Sequence, residues 1–232
     1  PAVERGGVVW TYLGPKDAMP APPDFEWMRA PQSHRYVSKT WEDCNWLQAM
    51  EGGLDTAHSS FVHNEFIGND NSFRNQDRAP RIEVERTAYG YHYVMPNQQM
   101  RSGTVKFLAN GGDEDPHAIP KMDGHLWVPV DDEHTYVYNW TCAVNPDKGF
   151  PDGAVERWES FTGRGKDDLI PGTYRLKRNL SNDYMIDREL QRTKTYSGIK
   201  GINTQDYALQ EGMGPIAPRP QHFLGTPAPA PA

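Results

Sequence analysis

The sequence has little cysteine: only Cys44 and Cys142 occur among its 232 residues. Two thiols cannot by themselves supply the four ligands of a zinc ribbon or of an iron–sulfur cluster. The two residues could form one disulfide, but a reduced intracellular protein is the simpler interpretation.

Long apolar runs and an excess of basic residues are also lacking. No stretch approaches the roughly 20 apolar residues of a membrane-spanning helix, and no secretory signal opens the chain, so we expect a cytoplasmic protein. The formal net charge is -7, from 24 Lys and Arg against 31 Asp and Glu. This balance argues against binding of nucleic acid or of an anionic membrane over the whole surface, although it leaves room for a small basic pocket.

The composition is polar but not that of a disordered chain. Hydrophobic residues make up 37% and the mean hydropathy is -0.78, yet 11% of the residues are aromatic. Aromatic side chains need a packed interior. A mass of 26.3 kDa suits one well-cored domain, or at most two small ones.

The residue patterns favour an α+β fold, with several antiparallel strands and segregated helices. Strands are predicted at residues 7–13, 34–40, 82–87, 89–94, 104–109, 125–130 and 135–144, and the last two form a hairpin. Helices are predicted at 42–63, 183–194 and 204–212, the last with Thr204 as N-cap. The remaining segments 15–31, 64–80 and 146–180 are interpreted as loops, and 226–232 as a disordered Pro/Ala tail.

The segment with the strongest chemical signal contains Asp55, His58 and His63 within nine residues. Asp55 and His58 are spaced to share a helix face. His58 and His63 lie about 140° apart on an ideal helix, so both rings can face one metal only if the helix breaks or bulges between them. Two imidazoles and a carboxylate from elsewhere would form the facial triad of non-haem Fe(II). A zinc site, or two histidines with purely structural roles, would fit the spacing as well.

Four blocks of sequence resemble one known family. Residues 44–63, CNWLQAMEGGLDTAHSSFVH, are similar to the catalytic-domain signature of Rieske-type aromatic ring-hydroxylating oxygenases, in the branch that includes phthalate 4,5-dioxygenase. The supporting blocks are ERGGVVW at 4–10, WVPVDDE at 127–133 and NTQDYALQEGMGPI at 203–216. The blocks occur in the order that the family shows.

The resemblance implies a helix-grip fold, a curved antiparallel sheet packed on helices. It implies that His58, His63 and Asp206 bind a mononuclear Fe(II), with Asp183 and Asp187 as competing choices for the aspartate. Asp55 is then not a ligand: it hydrogen-bonds a ligand histidine and links it to the cluster of a neighbouring subunit. Dioxygen is the co-substrate, and electrons come from a reductase through a [2Fe-2S] Rieske cluster, in a homotrimer.

The substrate implied by this branch is an aromatic carboxylate, which needs a cation and polar donors. Ser59 and Arg86 are the candidate contacts, although Arg86 could equally be a charge on a strand surface, and Arg101 is a poorer choice. Trp127 and Trp140 are expected in the core rather than in a pocket. The products could arise by dihydroxylation, monooxygenation or O-demethylation.

The sequence also departs from the family. Neither half of the C-x-H and C-x-x-H pattern that holds a Rieske cluster is present. We therefore expect that the Rieske domain is absent, that residues 1–31 are a remnant of its exit strand and a Pro-rich linker, and that 32–225 form the catalytic domain. The region 91–105 looks short for the family, and the chain stops soon after 224–225, where a terminal helix is usual. Turnover without a Rieske domain and trimer formation are accordingly not expected of this chain alone.

Two other functions remain open from the sequence. One is a non-catalytic module of the same fold that binds an aromatic ligand. The other is a zinc hydrolase using the same residues, although no H-E-x-x-H motif is present.

Overall fold

The computed structural model describes residues 1–55, 57–64, 83–87, 90–95, 100–102 and 121–222. The strands are β1 (Ala2–Arg5), β2 (Val8–Thr11), β3 (Arg35–Glu42), β4 (Glu83–Thr87), β5 (Gly90–Met95), β6 (Met100–Ser102), β7 (Lys121–Pro129) and β8 (Thr135–Ala143). The α-helices are α1 (Trp46–Leu54), α2 (Ser59–Val62), α3 (Ala154–Thr162), α4 (Arg188–Thr193) and α5 (Ile202–Gly212). Short 3-10 segments occur at Lys16–Ala18, Glu26–Arg29, Gln32–His34, Leu180–Met185 and Arg219–Gln221.

Three antiparallel sheets carry the described strands, in the orders β1-β2, β3-β8-β7 and β4-β5-β6. The hairpin predicted around residues 130–134 is confirmed, since β7 pairs with β8 from Lys121↔Ala143 to Pro129↔Thr135. The mixture of helices with antiparallel sheets agrees with the predicted α+β class. None of the helices in the described ranges is both long and apolar enough to cross a bilayer.

The first core cluster lies on one face of the β3-β8-β7 sheet and includes residues from the predicted linker. Trp27 is only 2% exposed, and its ring stacks on Trp140 with the centroids 5.3 Å apart. The buried members are Val8, Trp27, Met28, Met122, Trp140 and Cys142. The segment 15–31 therefore contributes side chains to the core rather than only crossing the surface.

The second core cluster joins the sheet to helix α5. Val137 of β8 packs with Leu176 and Tyr207, and Trp127 lies against them. Trp127 and Trp140 thus take part in core packing, as expected. The two cysteines, Cys44 and Cys142, are buried free thiols.

Helices α1 and α5 are joined by buried polar contacts. The Gln48 amide of α1 donates to the carbonyls of Gln210 (2.6 Å) and Gly214 (2.8 Å). Gly52 and Gly53 lie where α1 passes closest to its neighbours: a Cβ at Gly52 would meet the Gln210 side chain, and one at Gly53 would meet the Trp127 ring. The glycine pair, which weakens a helix, therefore permits the close approach of α1 to α5 and the sheet.

Several sequence predictions need correction. Residues 146–180 are not all loop, because they contain α3, bounded by Gly153 and Gly163 in the left-handed region. Helix α5 begins at Ile202 after Gly201 (φ 95°), so Thr204 is inside the helix and is not its N-cap. The predicted helix 183–194 is reduced to α4. The predicted loop 64–80, the strand 104–109 and the tail 226–232 lie largely or wholly outside the described residues.

Candidate metal centre

Helix α1 ends just before the first two site residues, and side-chain caps set both of its ends. Helix α1 begins at the N-cap Asn45, whose side chain accepts from the Leu47 amide at 3.0 Å. It ends at Asp55, which is extended and whose carboxylate accepts from the Ala57 amide at 2.9 Å. Such a side-chain turn replaces the next helical hydrogen bond and stops the helix.

His58 and His63 are the two caps of the single-turn helix α2. The Val62 amide donates to the His58 carbonyl at 2.8 Å, and the His63 amide donates to the Ser59 carbonyl at 3.1 Å. The prediction of a break between the histidines is therefore wrong in its position: the chain is helical between them, and the interruption precedes His58. His63 itself leaves helical geometry (φ -102°, ψ 14°), which lets its ring turn toward His58.

The third group comes from α5 and meets both rings. The Nε2 atoms of His58 and His63 are 3.1 Å apart. Asp206 Oδ1 lies 3.2 Å from His58 Nε2 and 2.8 Å from His63 Nε2. Within the described ranges, His58, His63 and Asp206 form the group of His, Cys, Asp or Glu side chains able to share one ion. These three residues are called the convergent group below.

Asp183 and Asp187 lie elsewhere. Asp183 is in a left-handed backbone conformation (φ 50°) within the 3-10 segment Leu180–Met185. Asp187 is the N-cap of α4 and accepts from the Leu190 amide at 2.8 Å. Neither belongs to the convergent group, so Asp206 is the aspartate that the fold brings to the histidines.

Asp55 and Ser59 flank the first histidine. Asp55 Oδ2 is 3.5 Å from His58 Nδ1, on the side of the ring away from Asp206. This contact bridges two separate elements, so the predicted helix face shared by Asp55 and His58 does not exist as such. Ser59 begins α2 directly after His58. Asp55 is therefore placed to orient the His58 ring.

Arg86 lies on β4, exposed, opposite Tyr91 in the register of β5. Arg101 lies on β6, and its side chain is outside the described part of the molecule. No described contact brings Arg86 to the convergent group.

Several residues that the sequence reasoning missed form hydrogen bonds to His63 and Asp206, or to the residues beside them. The Gln205 side chain accepts from His63 Nδ1 at 2.7 Å. The Asn203 amide reaches Asp206 Oδ2 at 3.5 Å, and Arg164 donates to Asn203 Oδ1 at 2.6 Å. Arg164 is itself paired with Glu159 at 2.6 Å, both side chains being nearly buried. The sequence signal is a run of three polar residues, Asn203, Thr204 and Gln205, directly before Asp206.

The electrostatics of the convergent group favour a carboxylate beside positive charge. Burial alone would raise the pKa of Asp206, but the charges of His63 and His58 beside it lower it well below its usual range. Burial would lower the pKa of His58, but its contacts with Asp206 and Asp55 outweigh burial and raise it to about 10. Positive charge is therefore stabilised where the three groups meet, from a proton or from a cation.

The donor set also fits a metal ion in its geometry. Ligand atoms about 2.1 Å from one ion lie about 3.0 Å apart on an octahedral face and about 3.4 Å apart in a tetrahedron. The three observed separations, 2.8, 3.1 and 3.2 Å, match the octahedral face. Asp206 Oδ1 is buried and receives no well-directed hydrogen bond from the described residues. A cation would satisfy this oxygen.

Comparison with known proteins finds one matching family and several similar oxygenase subunits. A family profile described as "LigXa C-terminal domain like" matches residues 11–230. The chain is 36% identical to the phthalate 4,5-dioxygenase oxygenase subunit of Pseudomonas putida, over 96% of this chain and 54% of that protein. It is 31% identical to the 3-chlorobenzoate-3,4-dioxygenase oxygenase subunit of Comamonas testosteroni, over 93% of this chain and 55% of that protein.

A more distant relative is the tert-butanol monooxygenase / tert-amyl alcohol desaturase oxygenase subunit of Aquincola tertiaricarbonis, 28% identical over 60% of this chain and 35% of that protein. The chain spans about half the length of the first two relatives. The family profile covers nearly the whole chain. The protein therefore belongs to the LigXa C-terminal domain-like family, as the catalytic domain of a Rieske-type oxygenase.

Proposed function

We propose that this chain is the part of a mononuclear non-haem iron oxygenase that binds an aromatic carboxylate and inserts oxygen derived from dioxygen into it. The observation that carries the proposal is the convergence of His58, His63 and Asp206 on one point, with separations of 2.8 to 3.2 Å. The two similar dioxygenase subunits are named for phthalate and 3-chlorobenzoate, both aromatic carboxylates. Their names support the proposed substrate class.

Iron(II) is the proposed metal because of the donors and their arrangement. Two imidazoles and one carboxylate on one face are typical of non-haem Fe(II) sites and leave positions open for other ligands. Zinc would favour the wider spacing of a tetrahedron. When bound, the ion would supply the activation of dioxygen, which the side chains cannot supply themselves.

The protein's own contribution is to hold and orient these ligands. His58 and His63 would bind through Nε2, because their Nδ1 atoms face Asp55 and Gln205. Asn203 and the buried Arg164–Glu159 pair fix the Asp206 carboxylate from the side opposite the histidines. Ser59 and Arg86 are the proposed contacts for the substrate carboxylate, and Asp55 the proposed link to the electron donor.

The rest of the proposed system is not in this chain. The sequence has no C-x-H or C-x-x-H pair for a Rieske cluster. We propose that electrons reach the iron from a [2Fe-2S] Rieske domain and a reductase, in a homotrimeric assembly as in the family. We also propose that the α+β fold is of the helix-grip type and that the domain extends over residues 32–225.

The test is iron binding by the purified chain under anaerobic conditions. Wild type should bind Fe(II) with near one-to-one stoichiometry, and Asp206→Ala should lose most of it. Asp187→Ala is the matched control, because it removes an exposed helix cap but no proposed ligand, and it should bind iron like wild type.

Other outcomes would redirect the proposal. Equal iron in wild type and Asp206→Ala would refute Asp206 as a ligand. An aromatic carboxylate that binds wild type and His58→Ala equally, with no iron in either, would support the non-catalytic binding module instead. Zinc bound in preference to iron, together with ester hydrolysis, would support the hydrolase.

A further inference from the structure

Gln205 is a buried polar residue placed directly behind His63. Its side chain is 1% exposed. The amide nitrogen donates to the Ile199 carbonyl at 2.8 Å and to Ser197 Oγ at 2.9 Å, while the amide oxygen faces His63 Nδ1 at 2.7 Å. The glutamine therefore connects a ring of the metal centre to the segment that joins α4 to α5.

The hydrogen-bond pattern leaves one orientation for the amide. A backbone carbonyl can only accept, so the NH2 group of Gln205 must face Ile199. The oxygen must then face His63, and because this oxygen can only accept, His63 Nδ1 must carry a proton. A neutral ring with hydrogen on Nδ1 has its lone pair on Nε2, the atom that lies 2.8 Å from Asp206 Oδ1.

We propose that Gln205 is a positioning residue that keeps the proton of His63 on Nδ1 and so directs the Nε2 lone pair to the metal. The inference rests on the proposed function, since it assigns a partner to one of the proposed ligands. An outer hydrogen bond of this kind fixes both the tautomer and the rotation of a ligand histidine. The two histidines are then held differently, His58 by the carboxylate of Asp55 and His63 by a neutral amide.

The anchoring of Gln205 adds a second consequence. Ser197 Oγ also accepts from the Ile199 amide at 3.1 Å, so the segment folds back on itself where it holds the glutamine. Rotation of the His63 ring would break its bond to Gln205 unless this segment moved as well. The ring is therefore fixed through tertiary structure rather than by its own short helix α2.

A matched control exists in the same helix. Gln210 is also buried, 5% exposed, and its amide donates to the Ala49 carbonyl at 3.1 Å, away from the convergent group. Gln205→Met and Gln210→Met each replace a buried amide with an apolar side chain of similar length. A purely structural role for Gln205 predicts that both variants lose stability but keep the same metal affinity.

The experiment measures Co(II) and Zn(II) affinity of the full chain by titration, together with the imidazole signals of the 15N-histidine-labelled protein. Gln205→Met is expected to weaken metal binding about 10- to 100-fold, and Gln210→Met to leave it within about threefold of wild type. Gln205→Glu keeps an acceptor for His63 while losing the donor to Ile199, so its metal affinity should recover toward wild type.

The spectra give a readout that does not require metal binding. A slowly exchanging Nδ1–H signal of His63 is expected in both metal-free and Zn(II)-loaded wild type, and it should be lost in metal-free Gln205→Met. Equal affinities for the two methionine variants, or coordination of His63 through Nδ1, would overturn the inference. Failure of wild type to bind metal would instead count against the proposed function, while the metal-free spectrum would still decide the role of Gln205.

Discussion

Gly53 offers a direct test of how α1 positions the metal centre. It lies near the end of α1, two residues before Asp55. A Cβ added there would lie 2.4 Å from Cζ2 and 2.7 Å from Cη2 of Trp127. The Trp127 ring packs against the second core cluster, so it cannot swing away freely.

Two opposing effects decide the outcome of Gly53→Ala. Helix propensity favours alanine over glycine in a helix interior by about 1 kcal/mol. Overpacking a core contact costs about 1–3 kcal/mol, and a contact this short with a held aromatic ring belongs at the upper end of that range. We therefore expect the free energy of unfolding of Gly53→Ala to fall by about 1–2 kcal/mol, although alanine is the better helix former.

The assay is urea denaturation of the metal-free chain, followed by Fe(II) titration. Gly212→Ala is the control, because a Cβ at this helical glycine meets nothing within 4 Å, and the variant should be unchanged or up to about 1 kcal/mol more stable. Iron affinity should fall in Gly53→Ala, since displacing α1 moves Asp55 away from His58, and should not fall in Gly212→Ala. A Gly53→Ala variant as stable as Gly212→Ala would refute the argument that the close approach requires glycine.

Three further outcomes are expected in denaturation experiments. Burial, and then the charge of Arg164, lower the pKa of His125 to about 4, so the unfolded chain takes up the proton first as pH falls. Between pH 6.5 and 4, the free energy of unfolding of wild type should fall by up to about 3 kcal/mol relative to that of His125→Gln. Parallel curves of unfolding free energy against pH for the two proteins would contradict this. Arg164→Met should lower the free energy of unfolding by about 3–5 kcal/mol, because it leaves the Glu159 carboxylate buried and unpaired. The double variant Arg164→Met with Glu159→Gln should recover part of this stability. Trp27→Ala should cost about 3–5 kcal/mol, shown by a lower urea midpoint, if residues 15–31 belong to the core; a loss below about 1 kcal/mol would mean that they do not.

Local patterns predicted the elements whose determinants are local. Alternation of apolar and polar residues identified β8, and the polar turn beside it identified the β7–β8 hairpin. These signals depend on residues within a few positions of one another, so a single sequence contains them.

The errors came from reading glycine and proline as markers of loops. Helix α3 is bounded by Gly153 and Gly163, both at positive φ, and these residues end a helix rather than exclude one. The prolines before Trp27 likewise hid a buried side chain. Threonine is a common N-cap, but α5 begins directly after Gly201 (φ 95°), which places Thr204 inside the helix.

The metal centre was predictable only in part because its residues are brought together by tertiary contacts. His58 and His63 could be found from their spacing, and Asp206 from the resemblance of its surrounding block. Gln205 could not, since its partner His63 is 142 residues away and the contact depends on how α5 lies against α2.

The packing of α1 on α5 explains why metal binding and folding should be coupled in this chain. The histidines follow α1, the aspartate is in the middle of α5, and the Gln48 side chain of α1 donates to the backbone carbonyl of Gln210 in α5 and to that of Gly214 just beyond it. In an unfolded chain these three side chains do not converge. An ion that binds the folded site therefore stabilises the contact between α1 and α5 as well. The same buried contacts that give the domain its core therefore set the distances between the ligands, and no single helix or turn could set them alone.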